Sequence, residues 1–178
     1  MHIKNLNIFT FISDFKKEEI LNLNKNIGII FRNYANGDNK DKILKIKKFC
    51  RMNNRKFYLA NNIKLAVNLN LDGVYIPAFN KDLCIRKYNF RKKFLILGSA
   101  HNIFEIKEKE KQGVKILFLS PLFETKKNTK SLGLIRFNIL SRLSKVKIIA
   151  LGGINKRNFN KLKIANAQGF SGISYFLN

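Results

Sequence analysis

The chain has 178 residues, 46% of them hydrophobic, and a formal charge of +24 from 35 Lys and Arg against 11 Asp and Glu. That length and apolar content suffice for one core, so a single domain over residues 1–178 is expected, and a disordered chain or a disulfide-stapled scaffold is excluded. Cys50 and Cys84 lie far apart without a CxxC spacing, which argues against a zinc or redox site and fits a reducing compartment.

The opening, MHIKNLNIFTFISDF, has a short interrupted apolar patch and reads as a first strand, not a leader peptide. No segment approaches the roughly 18 apolar residues of a membrane helix, so a cytoplasmic protein without a membrane partner is expected. Strands are then predicted near Leu6–Ile12, Ile27–Arg32, Lys56–Leu59, Gly73–Ile76, Phe94–Leu97, Ile116–Leu119, Lys147–Leu151 and Phe170–Ser174. Helical patterns lie between them at Lys16–Leu23, Lys40–Met52, Ile63–Asn70, Phe104–Gln112, Leu134–Leu143 and Asn158–Ala165, with Asn80–Tyr88 ambiguous. This βα alternation runs from end to end without a linker and predicts a compact (β/α)8 barrel, its last helix short or missing; an open doubly wound sheet is the competitor. Lysines recur in nearly every helical pattern, as at Lys40, Lys42, Lys45, Lys47 and Lys48. The charge therefore reads as a whole-chain bias, and with no nucleic-acid-binding motif in view no specific nucleic acid is expected, only non-specific polyanion affinity at low salt.

In a barrel the chemistry sits at the C-terminal ends of the strands. Those ends collect Arg32, Asn61 with Asn62, Asp72 to Tyr75, Ser99 with His101, the stretch Ser120–Lys130, Gly152–Gly153 and Gly172–Ser174. Cations, hydroxyls and glycines together suit a small phosphorylated substrate. The run KIIALGGINKRNF ends a strand in two glycines and continues into Asn155, a helix-capping residue type. Such a strand, glycine turn and helix start presents backbone N–H groups to an anion, although a tight turn alone would also use glycine. With SGIS, this turn occupies the two loops through which barrels frequently bind phosphate. Plainer roles stand beside these: Arg32 as a surface charge, His101 and Asp72 as caps, Ser174 bonded to its own backbone, and Lys126, Lys127 and Lys130 as a solvated run.

The strand-end motifs resemble the thiamine-phosphate synthase / thiazole tautomerase family from about Ile27 to Phe176. LFLSPLFETKKNTKSLGL is similar to its G-P-(V/I)-F-x-T-x-x-K…G-L segment, IIALGGINKRNF to A-(I/L)-G-G-I-x-x-x-N, and LDGVYIP to A-D-G-V-H-L-G. LGSAHNIFEI is similar to S-x-H-(S/T)-x-x-E, GISYF to a V-S-A stretch and IIFRNY to (Q/L)-L-R-x-K. The resemblance implies a (β/α)8 barrel that joins hydroxymethylpyrimidine diphosphate to thiazole phosphate with release of pyrophosphate. It implies catalytic roles for Arg32, Ser99, His101 and Thr125, substrate binding by Asn61, Lys126, Lys127, Gly152, Gly153, Ile173 and Ser174, and Mg²⁺ on Asp72.

Departures from the pattern fall on one half of the implied site. The R-x-K cation becomes Tyr34, the N-D pair becomes Asn61-Asn62, the histidine of D-G-V-H becomes Tyr75, and Asn128 stands where a lysine is expected. The diphosphate and metal half is altered while the thiazole-phosphate half is intact. A thiazole tautomerase, which needs neither metal nor diphosphate and would use His101 because imidazole exchanges protons near neutrality, stays open. A non-catalytic thiazole-phosphate binder stays open too. Oligomeric state is not fixed by these motifs.

Overall fold

A computed structural model of the chain describes residues 6–34, 39–125 and 129–176. Eight short strands alternate with the helical segments: β1 (Asn7–Ile12), β2 (Gly28–Phe31), β3 (Phe57–Ala60), β4 (Gly73–Ile76), β5 (Leu95–Ala100), β6 (Ile116–Leu119), β7 (Lys147–Leu151) and β8 (Gly169–Ser171). They pair in sequence order, all parallel, and β8 returns to β1 with Phe9 opposite Ser171, which closes the sheet into a (β/α)8 barrel.

Side-chain alternation along the strands divides the core into an inner and an outer layer. In β1, Phe9 and Phe11 point inward while Ile8 and Ile12 pack outside. Phe9, Phe11, Tyr75 and Phe118 meet edge to face within the barrel, with centroids 5.1–5.8 Å apart, and Tyr58 joins them beside Phe9. Aromatic rings thus fill a space that branched aliphatics commonly fill.

The outer layer comprises α1 (Lys17–Leu21), α2 (Lys40–Met52), α3 (Ile63–Asn68), α4 (Ile103–Lys111), α5 (Gly133–Arg142) and the one-turn α6 (Ile173–Phe176). Ile43, Ile46 and Cys50 of α2 recur at helical spacing and bury one face against the strands. Asparagines start three of these helices: Asn39, Asn62 and Asn102 accept hydrogen bonds from the backbone N–H groups of Lys42, Leu65 and Glu105.

Two connections differ from regular helices. The ambiguous segment after β4 is a 3₁₀ turn at Leu83–Lys87, and the helix expected over Asn158–Ala165 is a 3₁₀ turn at Phe159–Ile164. The latter buries Leu162 alone, too narrow an apolar stripe to anchor a longer helix. The last strand is also shorter than expected: it ends at Ser171, and Ile173 already opens α6.

Candidate active site

The glycine pair after β7 is required by its backbone. Gly152 and Gly153 have φ of 94° and 68°, a region costly for residues with a Cβ. A Cβ on Gly153 would run into the carbonyl oxygens of Phe123 and Glu124, and one on Gly152 would lie 2.8 Å from Pro121 Cα. Leu122 N–H donates to Leu151 O at 2.8 Å and Phe123 N–H to Gly152 O at 3.1 Å, so the loop after β6 is braced on this turn. Asn155 caps the segment beyond the turn, its Oδ1 accepting from the N–H groups of Arg157 and Asn158, while Asn158 Nδ2 donates to Gly153 O at 2.7 Å. The expected strand, glycine turn and capped segment are present, with a 3₁₀ turn in place of the helix.

Across the barrel mouth, a cavity of about 390 Å³ brings together Arg32 after β2, Ser99 on β5 and His101 just beyond it. Arg32 Cζ lies 4.6 Å from the centroid of the Phe11 ring. Among the described residues its guanidinium makes no ion pair. Ser99 is buried and hydrogen-bonded to the Tyr75 phenol, whose pKa burial pushes up. His101 Nδ1 lies 2.8 Å from Ser120 O. A carbonyl can only accept, so Nδ1 carries the hydrogen and the neutral ring keeps its basic lone pair on Nε2. The backbone N–H of His101 is held by Glu105 Oε2 at 2.7 Å, which fixes the ring's origin at the start of α4. Asn61 directly follows β3 in the left-handed region that asparagine tolerates, φ 61°, and its Oδ1 accepts from Asn80 Nδ2 at 2.7 Å.

Asp72 is not at this end, which corrects the metal-ligand expectation. Gly73–Ile76 is itself β4, so Asp72 precedes the strand and lies at the opposite barrel face. There its carboxylate accepts from Phe57 N–H at 3.0 Å and pairs with Lys56 Nζ at 3.0 Å, tying the start of β3 to β4. Thr125 is half-buried in the braced loop after β6. Lys126 and Lys127 lie outside the described residues, and Ile173 and Ser174 open α6 with side chains that also lie outside them. A second cavity of about 520 Å³ lies between the C-terminal end of β1 and α1, reaching Phe176; it takes in Phe11 and Arg32 but neither Ser99 nor His101.

Phe79 and Lys81, which no motif marks, enter the mouth together with two motif positions, Tyr34 and Glu105. Behind them Lys109 of α4, fully buried, donates to Asn80 O and, at 2.8 Å, to Gln112 Oε1. Gln112 Nε2 in turn donates to Asn80 O at 3.0 Å and Asp82 O at 2.9 Å. The sequence signal for this anchor is a lysine and a glutamine on the apolar face of an amphipathic helix, and lysine is so common in the chain that the signal is lost. Ser171, fully buried at the end of β8 beside Leu151, has a hydroxyl without a hydrogen-bond partner among the described residues.

Residues 24–176 match the family model described as thiamine monophosphate synthase. A thiamine-phosphate synthase from Prochlorococcus marinus subsp. pastoris is 30% identical over 159 residues, covering 85% of this chain and 45% of that protein. One from Clostridium acetobutylicum is 29% identical over 136 residues, covering 75% of this chain and 64% of that protein. The chain thus spans less than two thirds of the length of these relatives. A solved thiamine phosphate pyrophosphorylase from Pyrococcus furiosus superposes with a TM-score of 0.74 at 18% identity, covering 94% of this chain and 85% of that one, a likeness of fold. Matched over most of its length and built as the same barrel, this chain belongs to the thiamine monophosphate synthase family.

Proposed function

We propose that the chain joins hydroxymethylpyrimidine diphosphate to thiazole phosphate, giving thiamine phosphate and pyrophosphate. The observation that carries this reading is the convergence of Arg32, Ser99 and His101 in one cavity at the barrel mouth, with Lys81 as a further cation. In the reaction the bond from the pyrimidine methylene to diphosphate oxygen breaks, its electron pair leaving with pyrophosphate, and the thiazole nitrogen supplies the pair for the new C–N bond. Charge grows on the departing oxygens, where an unpaired guanidinium acts most strongly because it is already in place. The thiazole phosphate is assigned to the side of the mouth where β7 and β8 end, toward the N–H groups of the turn after Leu151, which lines the cavity.

The described residues do not fit a Mg²⁺ cage of their own. They contain no group of three or more His, Cys, Asp or Glu able to hold a metal, Asp72 is at the far face, and both oxygens of Glu105 are engaged by His101 N–H and Asn102. The steps assigned to this chain are therefore those of its own groups, positioning by Arg32, Lys81 and Ser99, and any Mg²⁺ would be held largely by the diphosphate itself. A second reading, thiazole tautomerisation, is favoured by one observation: the Ser120 carbonyl holds His101 in the tautomer whose Nε2 can take a proton.

The test is to incubate the purified chain with hydroxymethylpyrimidine diphosphate and thiazole phosphate, with and without Mg²⁺, following thiamine phosphate and pyrophosphate. Equal release of both products is expected. No condensation, but isomerisation of a thiazole phosphate carboxylate that is lost in His101→Gln, would establish the second reading; binding without turnover would leave a ligand-binding protein.

A further inference from the structure

Two large aromatic side chains stand exposed at the mouth, where water should disfavour them. Tyr34, after β2, is 49% exposed and Phe79, after β4, is 65% exposed, although their rings already meet edge to face at 5.7 Å. Phe79 is not simply left on a loose loop. The next residue, Asn80, is fixed by three separate groups: its carbonyl by Lys109 and Gln112, its side-chain amide by Asn61. A buried ammonium is costly to maintain, and here it holds a loop whose tip presents an apolar ring to solvent. Both aromatic residues line the same cavity as Arg32 and Lys81, which among the described residues make no ion pair. The rings stand at 75° to each other, so one face and one edge, flanked by cations, suit a planar heteroaromatic ring that carries phosphate groups.

We propose that Tyr34 and Phe79 form a two-sided aromatic wall for the pyrimidine ring of the diphosphate substrate, one ring stacking on its face and the other meeting its edge, while Arg32 and Lys81 take its phosphates. The inference rests on the reading that a phosphorylated heterocycle binds in this cavity, and adds to it the surface that selects the ring. Tyr34 stands where the family pattern has a lysine, so ring contact here takes over part of the holding that a second cation would supply.

Calorimetry with two probes, hydroxymethylpyrimidine diphosphate and inorganic pyrophosphate, separates ring from phosphate. In Phe79→Ala and Tyr34→Ala, affinity for the pyrimidine compound should fall about tenfold or more while affinity for pyrophosphate stays within about twofold. Phe79→Tyr should retain most of the ring-dependent part. Folded variants that lose neither affinity, or lose both equally, would overturn the wall while leaving the cavity as the phosphate site. Wild-type protein that binds neither probe would overturn the wall together with the reading on which it rests.

Discussion

Arg32 shows how a single residue's surroundings decide its chemistry. Its guanidinium rests near the Phe11 ring, which orients the plane without neutralising the charge, and leaves the planar fork for an anion. If it holds the departing diphosphate, Arg32→Ala should lower turnover by roughly 10²-fold or more with a smaller effect on substrate affinity, as measured by steady-state kinetics. Arg32→Lys should recover little, because a point charge cannot bond two oxygens at once. Arg32 is legible in the sequence because it directly follows the apolar run IGIIF, so its strand-end position is set by the strand. Asp72 misleads for the converse reason. The predicted strand Gly73–Ile76 already begins after Asp72, so chain order in a parallel barrel puts that carboxylate at the N-terminal face, and only the motif resemblance sets it at the mouth. The hydrogen bond from Phe57 N–H at the start of β3 agrees with that face.

At the scale of elements, α4 does more than cover β5, since its buried face carries Lys109. Burial lowers the Lys109 ammonium to about 8; Glu108 and Glu105 raise it in part and Lys81 lowers it further. In the unfolded chain the same group titrates near 10.5. Between these values the unfolded state holds a proton that the folded state has released, so this group makes stability rise with pH from about 8 to 10.5 and contributes no slope outside that window. Against Lys109→Met, the wild type should therefore gain up to about 3 kcal/mol of relative unfolding free energy across the window, read from denaturant titrations at several pH values. The alternation of strands and helices is readable because fully buried parallel strands are short apolar runs and Asn caps mark helix starts. The 3₁₀ turns are not, since Lys-rich segments with one buried leucine look helical until the surface they must cover is known.

For the molecule as a whole, the charge of +24 is a self-repulsive field that folding compresses. Added salt screens it over a Debye length of about 10 Å at 0.1 M, so the melting temperature should rise between roughly 20 and 500 mM NaCl in calorimetric scans. A fall would show that surface ion pairs such as Lys16–Glu19 and Lys42–Asp14 outweigh the repulsion. This field also explains why Lys81 cannot be picked out from composition: a cation among so many gains meaning only where the chain turns it toward a cavity. The aromatic filling of the barrel has a kinetic consequence. With Phe9, Phe11, Tyr75 and Phe118 packed across the axis, nothing passes from one face to the other, and the mouth is a well with one opening. Two ligands that share such a well cannot come and go independently. Both must use the same opening, so a ligand that plugs the mouth excludes the pair of them at once.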